Sequence, residues 1–183
     1  MTKLHSLNRN ELKYLVIIAM LIDHIAWAFV PTASLLGQIM HIIGRLTGPT
    51  MAYMLADGYY YTRSVEKYAC RLGIIGLCIL SLFGDWAIFD ILYALFFFCY
   101  RNNPQKKWTA FCMLTLFCCG NMLATTPWWL AFFQVGIFLV FPLIQFGYNG
   151  KSGSKKPFHK WFFYVFYPLH LLILGVLRWV VFA

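Results

Sequence analysis

Two ionisable side chains stand next to each other within an apolar stretch near the start of the chain. Asp23 and His24 lie within residues 12–30, which are long and apolar enough to cross a bilayer. A rise of about 1.5 Å per residue places His24 about 18 Å into a hydrocarbon layer about 30 Å thick. A charge at that depth costs about 2.5–3.5 kcal/mol on insertion scales, so such residues mark functional sites. Asp23 and His24 are therefore the first candidates for a reactive pair.

Two other apolar stretches carry ionisable side chains at a similar expected depth. Arg45 follows His41 by four positions, so the two side chains share one helix face. Arginine is always charged and needs an anionic partner, for which Asp23 and an anionic ligand are both candidates. His170 lies in the last apolar stretch. The residues expected at one depth on three helices are His24, Arg45 and His170.

The composition indicates which elements position these residues. Of the 183 residues, 61% are hydrophobic and 11% are charged, whereas a soluble domain carries about 25% charged residues. We therefore predict an all-α integral membrane protein, a bundle of about seven transmembrane helices forming one domain over residues 1–183. The predicted spans are 12–30, 37–57, 69–84, 86–100, 108–124, 128–147 and 161–181, of which the third and fourth are short.

The charge pattern predicts the orientation of the chain in the membrane and gives no support for nucleic-acid binding. The cysteine pattern gives no support for a metal or redox site. Lysine and arginine concentrate in alternate connections, which places the N-terminus in the cytoplasm and the C-terminus outside. All the basic residues except Arg45 and Arg178 then lie on the cytoplasmic side, so the net charge of +9 needs no nucleic acid. The six cysteines form no C-x-x-C pair, so no metal or redox site is predicted.

Five segments, taken in order, resemble the TraX family of integral membrane acetyltransferases. They are MLIDH (20–24), IGRLTGP (43–49), DGYYYTRSVEKYACRL (57–72), YNGKSG (148–153) and FFYVFYPLH (162–170). Residues 77–133 match only as membrane helices. The resemblance implies a multi-pass protein of the bacterial cytoplasmic membrane, with acetyl-CoA as donor. The family's named acceptor is the N-terminus of a conjugative pilin, and a more distant similarity to glycan acetyltransferases leaves the acceptor open between a pilin-like peptide and a glycan.

Acyl transfer of this kind gives each candidate residue a role. The unperturbed pKa of histidine, about 6.5, suits a general base, and a nearby carboxylate stabilises its charged form. We expect His24 to act as base with the help of Asp23, and Arg45 to stabilise the donor or the oxyanion. His170 is expected to position the acceptor or shuttle a proton. The residues expected to contact the anionic nucleotide of acetyl-CoA lie in cytoplasmic loops and are Arg63, Arg71, Asn149 and Lys151.

Two other classes of function fit the same buried charges. A small-solute or proton-coupled transporter would use them along a pathway and would show transmembrane flux without acetyl-CoA. A structural membrane subunit would use an Asp23–Arg45 ion pair to hold two helices together. In every case the surrounding partners include membrane lipids.

Overall fold

The protein is all-helical over the residues that its computed structural model describes, which are 6–60, 87–154 and 156–182. Within these ranges the extended pairing is limited to an isolated parallel bridge between Leu7 and Tyr148. The prediction of an all-α protein is therefore confirmed for this part of the chain. The helices are α1 (Arg9–Phe29), α2 (Leu35–Gly44), α3 (Thr47–Tyr60), α4 (Ala87–Cys99), α5 (Pro104–Thr125), α6 (Trp128–Gly147) and α7 (Pro157–Phe182).

Four of these helices are long and apolar enough to cross a membrane. They are α1, α5, α6 and residues Trp161–Phe182 of α7, and a shorter apolar helix covers Ile88–Cys99 in α4. The chain is accordingly a membrane protein. The count of seven spans and the orientation of the termini stay predictions. The predicted third span, 69–84, lies outside the described residues.

Helix α1 begins at a reciprocal pair of side-chain caps. The Asn8 side chain accepts hydrogen bonds from the backbone of Asn10 and Glu11, and the Glu11 carboxylate accepts from Asn8 N at 2.8 Å. Such a capping box satisfies backbone donors that the first helical turn leaves unpaired. The helix ends before Pro31, which has no backbone N–H to continue it. The helix that carries Asp23 and His24 is thus fixed at its start by its own sequence.

Residues 37–57 were predicted as one span, and the structure divides this stretch into two helices, α2 and α3. Helix α2 ends at Gly44, and Arg45 caps it. Pro49 then falls in the first turn of α3, where a backbone N–H has no helical partner and its loss costs little. Proline therefore starts a new helix here instead of bending an existing one. As a result Arg45 lies at a helix end and not in the middle of a helix.

The helices group into two compact units, and the first contains α1, α2, α6 and α7. Helices α1 and α2 run antiparallel, since Trp27 contacts His41 and Val16 O accepts from Thr47 Oγ1 at 3.3 Å. Helices α1 and α7 run parallel. Their contacts are Tyr14 with Phe162 near their starts and Phe29 with Phe182 near their ends. The single domain over residues 1–183 stays a prediction.

Helix α6 departs from regular α geometry along most of its length. It is α-helical at Trp128–Ala131, a 3₁₀ helix at Phe132–Leu139, α-helical at Val140–Pro142 and a π helix at Leu143–Gly147. Residues buried at intervals of three follow the 3₁₀ repeat: Ala131, Gln134, Ile137 and Val140. Gly136 approaches the backbone of Ile42 so closely that a Cβ atom would overlap it. The first unit therefore packs α6 directly against α2.

The second unit contains α3 from Gly48, α4 and α5. Helices α4 and α5 form an antiparallel pair, with Tyr93 Oη 2.8 Å from Thr115 Oγ1 and the Phe97 ring against Trp108. Helices α3 and α4 run parallel, because Gly48 lies beside Asp90 while Tyr53 contacts Phe97. The end of α3 and the start of α4 therefore lie at opposite ends of this unit.

Candidate functional site

The structure joins His24 of α1 to His170 of α7 by a direct hydrogen bond. His24 Nδ1 lies 2.7 Å from His170 Nε2, and His170 Nδ1 lies 2.8 Å from the carbonyl oxygen of Phe166. His170 is 5% exposed, and His24 is half-buried. Two of the residues predicted to share one depth thus meet across the interface of two parallel helices.

The partners of the two histidines determine where their protons lie. A carbonyl oxygen only accepts, so His170 Nδ1 must carry the hydrogen that Phe166 O receives. In the neutral ring His170 Nε2 is then an acceptor, and His24 Nδ1 donates to it. His24 Nε2 consequently keeps its lone pair, and it has no hydrogen-bond partner among the described residues. This atom is a base of the kind that acyl transfer needs.

The two imidazole rings lie edge to edge in nearly one plane. Their planes differ by 12° and their centroids are 5.0 Å apart, while the facing nitrogens of His24 and His170 are only 2.7 Å apart. The nearest points are therefore the ring edges, which is the arrangement that a straight N–H···N bond requires. The Phe166 ring stacks on His170 at 4.9 Å and 14°. These contacts hold the His170 ring in a fixed orientation.

Asp23 points to the other side of α1, where α2 supplies its partner. Its Oδ1 accepts a hydrogen bond from His41 Nδ1 at 2.8 Å, and the exposed fractions of the two side chains are 15% and 0%. Gly44 gives Asp23 its room, since a Cβ atom there would overlap Asp23 Cβ, Cγ and Oδ1. Neighbouring helix residues point about 100° apart, which explains why Asp23 and His24 face different helices.

Arg45 joins the same cluster through an aromatic ring. Its guanidinium carbon lies 4.5 Å from the centroid of Phe133, and the Phe133 ring in turn packs against His41 at 5.2 Å. A guanidinium over a ring face is stabilised by the ring quadrupole. Asp23, His41, Phe133 and Arg45 are thus connected in a continuous series of contacts across α1, α2 and α6.

His41 is the member of this site that the predicted set of functional residues lacks. In the sequence, the feature that pointed to His41 was its position four residues before Arg45, on the same helix face. That spacing places it near Arg45 but does not reveal its bond to Asp23.

The expected donor-binding residues are only partly within the described chain. Arg63 and Arg71 lie outside the described residues. Asn149 Nδ2 donates to Ser6 O at 2.8 Å, and its Oδ1 accepts from Lys151 N at 2.8 Å. The Asn149 side chain therefore holds the loop against the N-terminal segment.

The loop around Lys151 is joined to the start of α1 along several residues. Leu7 N donates to Gly147 O at 2.6 Å, Asn149 N donates to Leu7 O at 3.0 Å, and Arg9 N donates to Lys151 O at 3.0 Å. Gly150 has φ of 71°, a left-handed conformation that favours glycine. The arrangement keeps the exposed residue Lys151 next to Arg9 in space.

Comparison with known proteins identifies the family to which the chain belongs. No solved structure matches the chain. The chain is similar to the probable fimbrial assembly protein FimC, serogroup H1, of Dichelobacter nodosus; the identity is 23%, over 90% of this chain and 93% of that protein. The family model described as TraX protein matches residues 8–84 and 78–178, which together span most of the sequence. The chain therefore belongs to the TraX family.

Proposed function

We propose that this protein is an integral membrane acyltransferase that moves an acetyl group from cytoplasmic acetyl-CoA to an amine or hydroxyl acceptor. The observation that carries the proposal is the hydrogen-bonded series Phe166 O, His170 and His24, which leaves His24 Nε2 as an available base. Membership of the TraX family supports it. The name of the FimC relative supports an acceptor connected with pili or fimbriae, such as a pilin-like peptide, with a glycan as the other candidate.

The proposed reaction moves one proton through His24. The acceptor N–H or O–H transfers its proton to His24 Nε2 while the acceptor atom attacks the acetyl carbonyl carbon. The carbon–sulfur bond then breaks, and the thiolate of coenzyme A leaves and takes up the proton. No other reactant is needed. A general base of this kind typically contributes about 10²–10⁴-fold to the rate.

His170 and Asp23 support the charged form of His24 in this scheme. When Nε2 takes the proton, His24 Nδ1 donates a charge-assisted hydrogen bond to His170 Nε2. The proton on Nδ1 can also pass to His170, whose other nitrogen already donates to Phe166 O. The carboxylate of Asp23, the preceding residue, favours the positive charge on the His24 ring. Arg45, connected to Asp23 through Phe133 and His41, is proposed to stabilise the oxyanion or the donor.

The nucleotide of acetyl-CoA is proposed to bind at the basic loops. Lys151 supplies a positive charge, Asn149 fixes the loop that carries it, and Arg63 and Arg71 are proposed to add two further charges. This assignment requires that these loops face the cytoplasm, where acetyl-CoA is present. It therefore goes together with a proposed multi-pass location in the bacterial cytoplasmic membrane.

The test is acetyl transfer by the purified protein in detergent. Radiolabelled acetyl-CoA is supplied with a peptide carrying a free N-terminus, or with a simple sugar, as acceptor. We expect His24→Ala to lose at least about a hundredfold in kcat. His159→Ala is the matched control, since His159 is also a histidine of α7 and bonds a side chain of α1, Tyr14 Oη, at 2.7 Å. Full activity in His24→Ala would show that the base is a different residue.

A proton-coupled transporter is the second candidate, and one observation favours it. Two imidazoles joined by a hydrogen bond can pass a proton from one ring to the other, which serves a conduction path as well as it serves catalysis. Protein reconstituted in vesicles distinguishes the two functions. Proton flux that is lost in His170→Leu, together with no binding of acetyl-CoA at millimolar concentration, would favour the transporter.

A further inference from the structure

The bond between His41 and Asp23 gives a role to a residue outside the proposed catalytic set. His41 is 0% exposed, and its ring lies between Trp27, at a centroid distance of 4.6 Å, and Phe133, at 5.2 Å. Its Nδ1 points out of this aromatic enclosure to Asp23 Oδ1 at 2.8 Å. An acceptor such as a carboxylate requires that Nδ1 carry a proton. His41 is therefore a fixed hydrogen-bond donor to Asp23.

A carboxylate in this location is stabilised by such a donor. Transfer of a charged group out of water is unfavourable unless hydrogen bonds or opposite charges replace its hydration. The Asp23 side chain is only 15% exposed, and α1 is a helix that can span a membrane. Gly44 removes the side chain that would separate α1 from α2 at this level, so His41 and Asp23 can meet.

We propose that His41 is a positioning residue that keeps Asp23 ionised and oriented, so that the Asp23 carboxylate stabilises His24 when His24 takes up the proton. The proposal rests on the acyltransferase function proposed above. His41 itself touches neither donor nor acceptor in this scheme, and it acts through Asp23. Arg45, the other charged group of the cluster, contacts the far ring, Phe133.

Two substitutions separate this role from simple packing. His41→Asn places an amide N–H near the position of Nδ1, whereas His41→Gln places its amide near the position of Nε2. Asparagine thus retains the donor to Asp23, and glutamine loses it. Asparagine is also the smaller side chain, so it leaves the larger cavity in a fully buried site. A packing role predicts that His41→Asn is the more damaging change, and the proposed role predicts the opposite order.

The first experiment reads the charge of Asp23 without any enzymatic assay. Infrared difference spectra of the purified protein, with isotope-labelled aspartate, distinguish a carboxylate from a protonated carboxyl group, and Asp23→Asn identifies the Asp23 bands. We expect carboxylate bands in the wild type and in His41→Asn, and a protonated carboxyl band in His41→Gln. A protonated Asp23 in the wild type, or an ionised Asp23 in His41→Gln, would overturn the proposal.

The second experiment measures acetyl transfer by the same proteins. A hydrogen bond to a charged group corresponds to about a ten- to hundredfold effect. We expect kcat of His41→Gln to fall by that factor with KM for acetyl-CoA unchanged, and His41→Asn to stay within about threefold of the wild type. Equal activity of the wild type and His41→Gln would overturn the role in catalysis. Absence of acetyl transfer in the wild type would instead refute the proposed function, while the infrared spectra still decide what His41 does to Asp23.

Discussion

Gly44→Ala is the substitution that tests the geometry of the site most directly. The added methyl group would overlap Cβ, Cγ and Oδ1 of Asp23. The Cβ atom is attached to the backbone of α1, so rotation of the Asp23 side chain cannot relieve the overlap. Helix α1 has to move away from α2, and the movement lengthens the 2.8 Å bond between Asp23 and His41.

The expected cost follows from the terms that the structure identifies. Overpacking of a filled interface costs about 1–3 kcal/mol, and a weakened hydrogen bond to a charged group costs about 1.5–3 kcal/mol. Alanine regains about 1 kcal/mol of helix propensity relative to glycine. Relative to the wild type, we therefore expect Gly44→Ala to lose about 1.5–5 kcal/mol. The control is Gly175→Ala, in which the new methyl group meets no atom within 4 Å.

The assay compares thermal unfolding of the wild type and both variants in detergent, followed by acetyl transfer. For a chain of this length, 1 kcal/mol corresponds to about 2–4 °C in Tm. Gly44→Ala is expected to melt several degrees lower than the wild type and to lose most acetyl transfer. Gly175→Ala is expected to melt no lower than the wild type and to keep its activity. Equal melting temperatures and equal activities of the two variants would refute the close approach of α1 and α2 at Asp23.

Three further predictions concern the His24–His170 hydrogen bond, the loop that contains Asn149 and the membrane topology of α3 and α4. His170→Gln is expected to keep more acetyl transfer than His170→Leu, because the amide oxygen accepts from His24 Nδ1; measured kcat values in the reverse order would contradict the proposed role of the His24–His170 bond. Asn149→Ala is expected to raise KM for acetyl-CoA with little change in kcat, since it loses the bonds that hold the loop to Ser6; an unchanged KM would remove the loop from donor binding. The predicted topology, with which the parallel packing of α3 and α4 agrees, places Asp57 in the cytoplasm and Ile88 outside. Cysteines at these two positions, in a protein lacking the native cysteines, should therefore react with a membrane-impermeant maleimide from opposite sides, and labelling from one side would contradict this topology.

That His24 and His170 lie at one level could be predicted from sequence, and their hydrogen bond could not. The rise per residue placed His24 and His170 at a similar depth, because it depends only on where each apolar stretch begins. Which faces meet depends on the rotation of each helix about its axis, and packing of whole helices sets that rotation. The bond between His24 and His170 therefore became visible only in the structure.

The partner of Asp23 illustrates a second reason. Opposite formal charges made Arg45 a natural candidate in the sequence, and His41 lies one turn away on the same face. The structure brings His41 to Asp23, because Gly44 allows α2 to approach just at that turn. Arg45 follows the last residue of α2 and contacts Phe133 instead. The formal charges of Asp23 and Arg45 therefore indicated the cluster in the sequence. The close approach of α2 to α1 at Gly44 determined that Asp23 bonds to His41.

The parallel pairing of α1 and α7 has a consequence for how the protein is made. His24 and His170 are 146 positions apart in the chain. At a synthesis rate of about 5–20 residues per second, roughly 7–30 s separate the appearance of His24 from that of His170. During this interval the α1 surface that receives α7 has no native partner, and the Nδ1 hydrogen of His24 has no native acceptor. Chains that stop before α7 thus contain the proposed base and lack the residue that orients it, so the hydrogen-bonded pair forms only after α7 has been inserted.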